Sequence, residues 1–394
     1  MAGVDRKAMA ALSSGHLAAD LAQGALPALL PFLVLKFDLS YTMAATLVLA
    51  GTVSSSIVQP AFGVWSDARG ALWLLPAGVL LAGAGMAAAT VAPSYPLLLA
   101  AVLLAGLGVA AYHPEGSKFA SYVSGDRRAS GMSLFSIGGN VGFALGPLLA
   151  SFAIVTLGLG LGGGSVVAIP GLVIASVLFS LRGYLARFVP DHVREPGAPR
   201  TRSDRRGMSL LISVIGLRSL AHMGLFTFVP LWEVAKGHSA AYGTRLLAAF
   251  LFAGALGTLA GGPLADRFGR RRILLVSFVA ASPLVFTYVL LGGLVGALAL
   301  VVSGAAIIGT FGVSLVMSQE YMPARVGMAS GISIGFAIGL GGVAAVLLGA
   351  VADALDLRAA LLLCASGPAL AVALTLALPP SRRVRAVEPA AAPV

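Results

Sequence analysis

Residues 9–35 read MAALSSGHLAADLAQGALPALLPFLVL, an almost unbroken apolar run with His16 and Asp20 near its middle. At about 1.5 Å rise per residue, a helix of this length crosses a hydrocarbon layer of about 30 Å with some tilt. A carboxylate at that depth costs about 2.5–3.5 kcal/mol on insertion scales, so its presence points to function. At about 100° per residue, His16, Asp20, Gln23 and Pro27 fall within about 60° of one another. Lipid cannot satisfy such a stripe, so it must face a water-filled cavity or another helix. The run is also too long and too polar at its centre for a cleavable signal peptide, and no A-x-A exit follows it.

The remaining sequence is of the same kind. Of 394 residues, 58% are hydrophobic and 10% charged, with a mean hydropathy of +0.95. Soluble domains carry about 25% charged residues, so the composition is that of a polytopic helical membrane protein. The fifty glycines lie inside apolar runs, where small residues let helices pack closely. The single cysteine, Cys364, excludes an internal disulfide and a multi-cysteine metal site, and its apolar surroundings suit plain core. In a soluble protein a net charge of +11 would suggest nucleic acid; here its distribution points to topology.

Apolar runs fall at about 9–35, 42–66, 71–92, 96–121, 131–155, 166–188, 209–232, 243–265, 272–292, 295–319, 327–351 and 358–378. Each is near the length of a membrane span, and an even number puts both termini on one side. With the termini inside, 21 of the 26 Lys and Arg lie in cytoplasmic segments. The positive-inside rule therefore predicts an N-in, C-in orientation. Trp65, Trp73, Tyr95, Trp232 and Tyr242 sit near run ends, as interfacial aromatics do. Residues 158–165, GLGLGGGS, read as an external connector. The basic, Pro-rich stretch 189–207 reads as a cytoplasmic linker between bundles at 1–188 and 208–394.

Those two bundles repeat each other. Gly63-Val-Trp-Ser-Asp67-Ala-Arg69-Gly70 closes the second run, and Gly262-Pro-Leu-Ala-Asp266-Arg267-Phe-Gly-Arg270 closes the eighth, 199 residues later. The same shift sets Pro31 on Pro230 and Gln23 on His222. A second echo joins Gly142-Phe-Ala-Leu-Gly146 to Gly335-Phe-Ala-Ile-Gly339; a rival alignment sets Ser136-Ile-Gly138 on Ser333-Ile-Gly335, one helical turn away. Two equivalent six-helix halves are the build of alternating-access transporters, whose site lies between them. In the closing motif, glycines permit a tight turn and close packing. The acid can pair with nearby arginines or a helix N-terminus, making a latch that opens and closes.

That motif resembles the loop after the second span of the major facilitator superfamily, and the resemblance covers essentially the whole chain. It implies twelve transmembrane helices in two pseudo-symmetric six-helix bundles. Gly63, Asp67 and Arg69 match in the first half, and Gly262, Asp266, Arg267 and Arg270 in the second. Gly142-x-x-x-Gly146-Pro147 resembles the glycine–proline motif of the family's exporters. His16-Leu-Ala-Ala-Asp20-Leu-Ala-Gln23, Tyr112-His-Pro-Glu-Gly-Ser-Lys118 and Gln319-Glu-Tyr-Met-Pro-Ala-Arg325 are similar to the fosmidomycin-resistance branch. Members of that branch are bacterial inner-membrane proteins that export antibiotics, so the resemblance implies proton antiport. In one respect the chain departs from the superfamily pattern. The arginine usual four residues before the glycine matching Gly106 is replaced by Val102. A proton mechanism built on that arginine does not carry over, and attention moves to Asp20, His16, His113 and Glu115.

His113 and Glu115 lie about 200° apart on an ideal helix, unless Pro114 kinks it. Glu115 either pairs with Lys118, three residues on, or gates against Asp67 and Arg69. His113 either packs as a polar side chain or relays protons. Arg218 and His222 share one face of the seventh run. A cation so deep needs an anion, either Asp20 across the cavity or a substrate carboxylate, phosphate or phosphonate. Gln23, Asn140, Lys118 and Glu320 complete the candidate cavity, although Glu320 also suits a pair with Arg325 and Asn140 a bond to a neighbouring helix.

These residues predict a secondary active transporter, a proton-coupled exporter of small drug-like or anionic compounds in which Asp20 carries the proton. A proton- or sodium-coupled importer of a small organic anion is the alternative. An enzyme is not expected. No G-x-x-x-x-G-K-[ST] loop occurs, and His16 with Asp20 leaves a third metal ligand hard to place. The expected partners are a small-molecule substrate, protons and the bilayer of a bacterial inner membrane, with no nucleic acid, metal or cofactor. Because each chain carries both halves, it is expected to act as a monomer.

Overall fold

The computed structural model describes residues 4–69, 71–125, 128–188, 204–322 and 326–379. Among them, twelve helices are long and apolar enough to cross a membrane. In the first half these are α1 (Arg6–Phe37), α2 (Tyr41–Gly63), α3 (Leu74–Val91), α4 (Tyr95–Val123), α5 (Gly131–Thr156) and α6 (Gly160–Ser180). In the second they are α7 (Arg205–Ala235), α8 (Ala240–Phe268), α9 (Arg270–Leu291), α10 (Gly293–Tyr321), α11 (Ala337–Ala354) and α12 (Leu357–Leu376). Most of the linker, residues 189–203, lies outside the described residues.

Local chemistry sets the helix starts. The Asp5 side chain caps α1 by accepting from the Ala8 amide at 2.8 Å, and the Tyr184 hydroxyl donates to the same carboxylate at 2.7 Å. Burial opposes ionisation of Asp5, but these bonds outweigh it and hold the carboxyl below its usual range. Ser40, Asp204, Ser239 and Asp356 cap α2, α7, α8 and α12 in the same way. Pro114 sits inside α4 without ending the helix. At α2 the helix breaks after Ser56, and at α10 it is interrupted at Gly309.

The buried apolar residues show how the halves meet. One hydrophobic core runs through both halves at the end remote from the termini; it takes in Leu29 and Leu33 of α1, Leu47 of α2, Phe228 of α7, Leu251 of α8 and Leu348 of α11. At the end carrying the termini the halves have separate cores. The first is built on Leu12, Tyr112 and Phe119, the second on Leu211, Leu274 and Met317. Burial of apolar area is what holds helices together once backbone groups are satisfied within them. Among the described residues the halves therefore share apolar core at the far end and have separate cores at the terminal end, with the mid-depth polar residues lying between. On the outer flanks the large side chains are exposed and apolar, as at Ile169 and Leu172 of α6 and Leu294 and Leu298 of α10, which suits contact with lipid.

Candidate functional site

Two polar centres sit about midway along the helices, one in each half. The first is built by α1, α4 and α5. Asp20 lies between two histidines, with Oδ2 3.3 Å from His16 Nε2 and Oδ1 3.0 Å from His113 Nε2. All three side chains are largely buried, His113 the most exposed at 22%. The i,i+4 spacing of His16 and Asp20 stacks them on one face of α1, and His113 reaches them from α4.

The outer ring nitrogens determine where the protons are. His16 Nδ1 lies 2.9 Å from the carbonyl oxygen of Phe135, whose ring stacks on the imidazole at 4.2 Å. A carbonyl only accepts, so Nδ1 carries a hydrogen. His16 Nε2 and Asp20 Oδ2 would then face each other as two acceptors at 3.3 Å, an arrangement that repels unless a proton lies between them. That proton belongs either to an imidazolium beside a carboxylate or to a carboxylic acid beside a neutral ring. On the other side, the Gln59 amide nitrogen stands 3.3 Å from His113 Nδ1, which leaves Nε2–H to donate to Asp20. Asp20 thus sits in a cluster whose polar atoms are all partnered, with a geometry suited to hold a proton between His16 Nε2 and Asp20 Oδ2. The ligand atoms of His16, Asp20 and His113 lie within 4.8 Å of one another, so His113 supplies the third donor that the sequence left unplaced.

Backbone proximity allows the arrangement. A Cβ on Gly139 of α5 would sit 2.4 Å from His16 Nε2 and 2.6 Å from Asp20 Oδ2, so only glycine leaves room for both side chains. Gln23, next along the stripe, donates to Ser55 Oγ of α2 at 3.3 Å.

The second centre lies on α7 and α10. Arg218 is 1% exposed and donates from Nη1 to Ser314 Oγ at 3.0 Å. Its guanidinium carbon lies 3.8 Å above the Phe311 ring, a cation–π contact. No carboxylate pairs with it among the described residues, and its Nε has no hydrogen-bond partner. Ser219 Oγ and both ring nitrogens of His222 are likewise unpartnered. Rings of Phe226, Phe250 and Phe311 surround His222, and Phe226 stacks at 4.9 Å on Phe143 of the first half. Asp20 is engaged by its histidines, which corrects the expectation of Asp20 as the anion for Arg218 across the cavity. Among the described residues the buried cation has no anionic partner.

Other candidates lie elsewhere. Glu115 is buried and pairs with Lys118 at 2.8 Å, the first of its two expected partners. Glu320 binds Arg270 rather than lining the cavity, which ties α10 to the start of α9; Arg325, its expected partner, lies outside the described residues. Asp266 is 76% exposed and lies 3.6 Å from Arg270, while Arg267 stacks over Phe268. Gly63 faces Pro114 of α4, and a Cβ on Gly262 would meet nothing within 4 Å. The side chains of Asp67 and Arg69 lie outside the described residues. Asn140 is half-buried and makes no hydrogen bond among the described residues. Three contributors escaped the sequence reading: Gln59, Gly139 and the Phe135 carbonyl. Of these only Gln59 carried a signal, as a polar residue next to the Pro60 kink of the second run.

The Major Facilitator Superfamily matches residues 12–346, with a second match over 246–393. The chain belongs to this family. It is 32% identical to the fosmidomycin resistance protein of Escherichia coli (strain K12) over 381 residues, covering 95% of this chain and 93% of that protein. It is 30% identical to the uncharacterized MFS-type transporter YfnC of Bacillus subtilis (strain 168), with 94% and 92% covered. A bacterial homologue of the human lysosomal transporter Spinster, solved inward-facing and occupied, superposes with a TM-score of 0.77 at 16% identity over 94% of this chain and 96% of its own. The transporter FucP in its outward conformation gives a TM-score of 0.61 at 16% identity, with 95% and 100% covered. The chain is therefore a multi-pass membrane transporter of small molecules and not an enzyme.

Proposed function

We propose that the chain is a proton-coupled exporter of small drug-like or anionic compounds in a bacterial cytoplasmic membrane. It is oriented N-in and C-in and works as a monomer by alternating access between its halves, 1–188 and 208–394. The observation that carries the proposal is the buried cluster in which His16 Nε2 stands 3.3 Å from Asp20 Oδ2 while His16 Nδ1 is spent on the Phe135 carbonyl. In the orientation proposed, the opening at the terminal end faces the cytoplasm. A proton that entered from outside would leave there by way of His113, the most exposed member of the cluster. Its loss leaves a net negative charge on the first half. Arg218, unpaired in the second half, supplies the opposite charge for an anionic substrate, with Gln23 and His222 lining the path. The kinship with a fosmidomycin resistance protein supports antibiotics as part of the substrate range.

The test uses an efflux-deficient bacterial host. Expression should raise resistance to at least one small anionic drug, and inside-out vesicles should take up that drug when a pH gradient is imposed. Asp20→Asn, at equal expression, should abolish both. Full transport by Asp20→Asn would refute the proton assignment, and drug accumulation in intact cells would favour the importer.

A further inference from the structure

At the far end of the molecule one carboxylate joins the two halves. Asp353, in the last turn of α11, accepts from the Tyr41 amide at 2.7 Å through Oδ1. Through Oδ2 it accepts from the Thr42 amide at 2.9 Å and from the Thr42 hydroxyl at 2.6 Å. Tyr41 and Thr42 begin α2, in the other half. The first four amides of any helix have no partner within it. Of the three amides of the first turn of α2, Met43 donates to Ser40 Oγ, while Tyr41 and Thr42 donate to Asp353; Ala44 makes the first bond within the helix, to the Ser40 carbonyl. Two of the three first-turn amides are thus capped by the opposite half of the protein. The negative carboxylate also meets the positive end of the helix dipole.

The approach is close because α11 presents glycine there. A Cβ on Gly349 would lie 2.8 Å from the Tyr41 carbonyl oxygen and 2.9 Å from Thr42 Cα. The pseudo-equivalent contact between α8 and α5 has no such bridge. Ser239 caps Tyr242 from within its own half, and residues 156–160, TLGLG, which run from the end of α5 to the start of α6, hold no acid.

We propose that Asp353 is the residue that fastens the far gate in the transport cycle, holding α11 against the start of α2 whenever the molecule is open at the terminal end. Because Asp353 is exposed and Tyr41 and Thr42 are only half-buried, water replaces the bonds when the halves part, so the latch is reversible. It acts on the equilibrium between the two openings. It touches neither Asp20 nor Arg218, so it stands or falls independently of the proton assignment and requires only alternation between the halves.

The experiment is a spin-label distance measurement on full-length protein in lipid nanodiscs at fixed pH, without substrate. Nitroxides at Val91→Cys and Leu291→Cys, exposed at the far ends of α3 and α9, report the gate in a Cys364→Ala background. The parent should give one short distance. Asp353→Ala should add a longer population, raising the ratio of open to closed by about 2- to 30-fold, the range for loss of a helix cap. Thr42→Val, which keeps the amides and removes only the hydroxyl, should move the ratio the same way by less. If both variants reproduce the parental distribution, Asp353 is no latch. If Asp353→Ala opens the gate while Asp20→Asn still transports, the latch survives and the proton assignment fails.

Discussion

The two halves repeat one architecture, yet they treat buried charge in opposite ways. In the first, Asp20 is surrounded by donors, and every polar atom of its cluster has a partner. In the second, at a similar depth, Arg218 carries a charge that no described residue neutralises, beside a histidine with neither ring nitrogen bonded among the described residues. A satisfied cluster lends stability and can store a proton. An unsatisfied one costs stability and is retained for what it binds. The sequence repeat sets Gln23 on His222, so the pseudo-symmetry aligns the depth of the two centres but not their chemistry.

The largest expected effect comes from removing each charge. Asp20→Leu and Arg218→Met should each lower drug transport more than about 10-fold, but their effects on thermal stability in detergent should have opposite signs. Asp20→Leu strands the hydrogens of His113 and His16 and should destabilise by about 1–3 kcal/mol. Arg218→Met removes an unpaired buried cation and should be neutral or stabilising by up to about 4 kcal/mol. Destabilisation of similar size in both would erase the contrast drawn between the halves.

Next in size is a pair of glycine variants at positions related by the second sequence echo. Gly142→Ala places a Cβ 2.1 Å from the Leu17 carbonyl oxygen, where α5 presses on α1, and should cost about 1–3 kcal/mol and much of the transport. Gly335→Ala meets nothing within 4 Å and should leave the melting temperature and transport near parental values. Equal damage from both would mean that the second half is as tightly packed at this level as the first. Gly139→Ala should resemble Gly142→Ala in stability but lose transport more completely, because it displaces His16 and Asp20 directly.

The smallest expected effect is that of Gln59→Leu. It removes one hydrogen bond to His113 without touching Asp20, and should reduce transport by less than about 10-fold, measured as vesicle uptake over a range of drug concentrations.

Most of the architecture was legible in the sequence because apolar run length and the 199-residue repeat report directly on a hydrocarbon layer. His16 and Asp20 were legible because a carboxylate in such a run is anomalous, and the Glu115–Lys118 pair was legible from its i,i+3 spacing. What was not legible depends on contacts between helices. The Phe135 carbonyl that orients His16 has no side-chain signature, and Glu320 finds Arg270 across two helices, 50 residues away in sequence. Asp353 reads as an ordinary acid at a helix end until Tyr41 and Thr42 are brought to it from the other half.

The central claim is that Asp20 and its histidines hold one proton that substrate displaces. It is tested most directly by counting protons released when a saturating anionic drug is added to purified protein in weakly buffered detergent at fixed pH. The account predicts release approaching one proton per chain from the parent and none from Asp20→Asn, with Arg218→Met failing because it cannot bind the drug. Equal release from the parent and Asp20→Asn, or none from a parent shown to bind the drug, would contradict it.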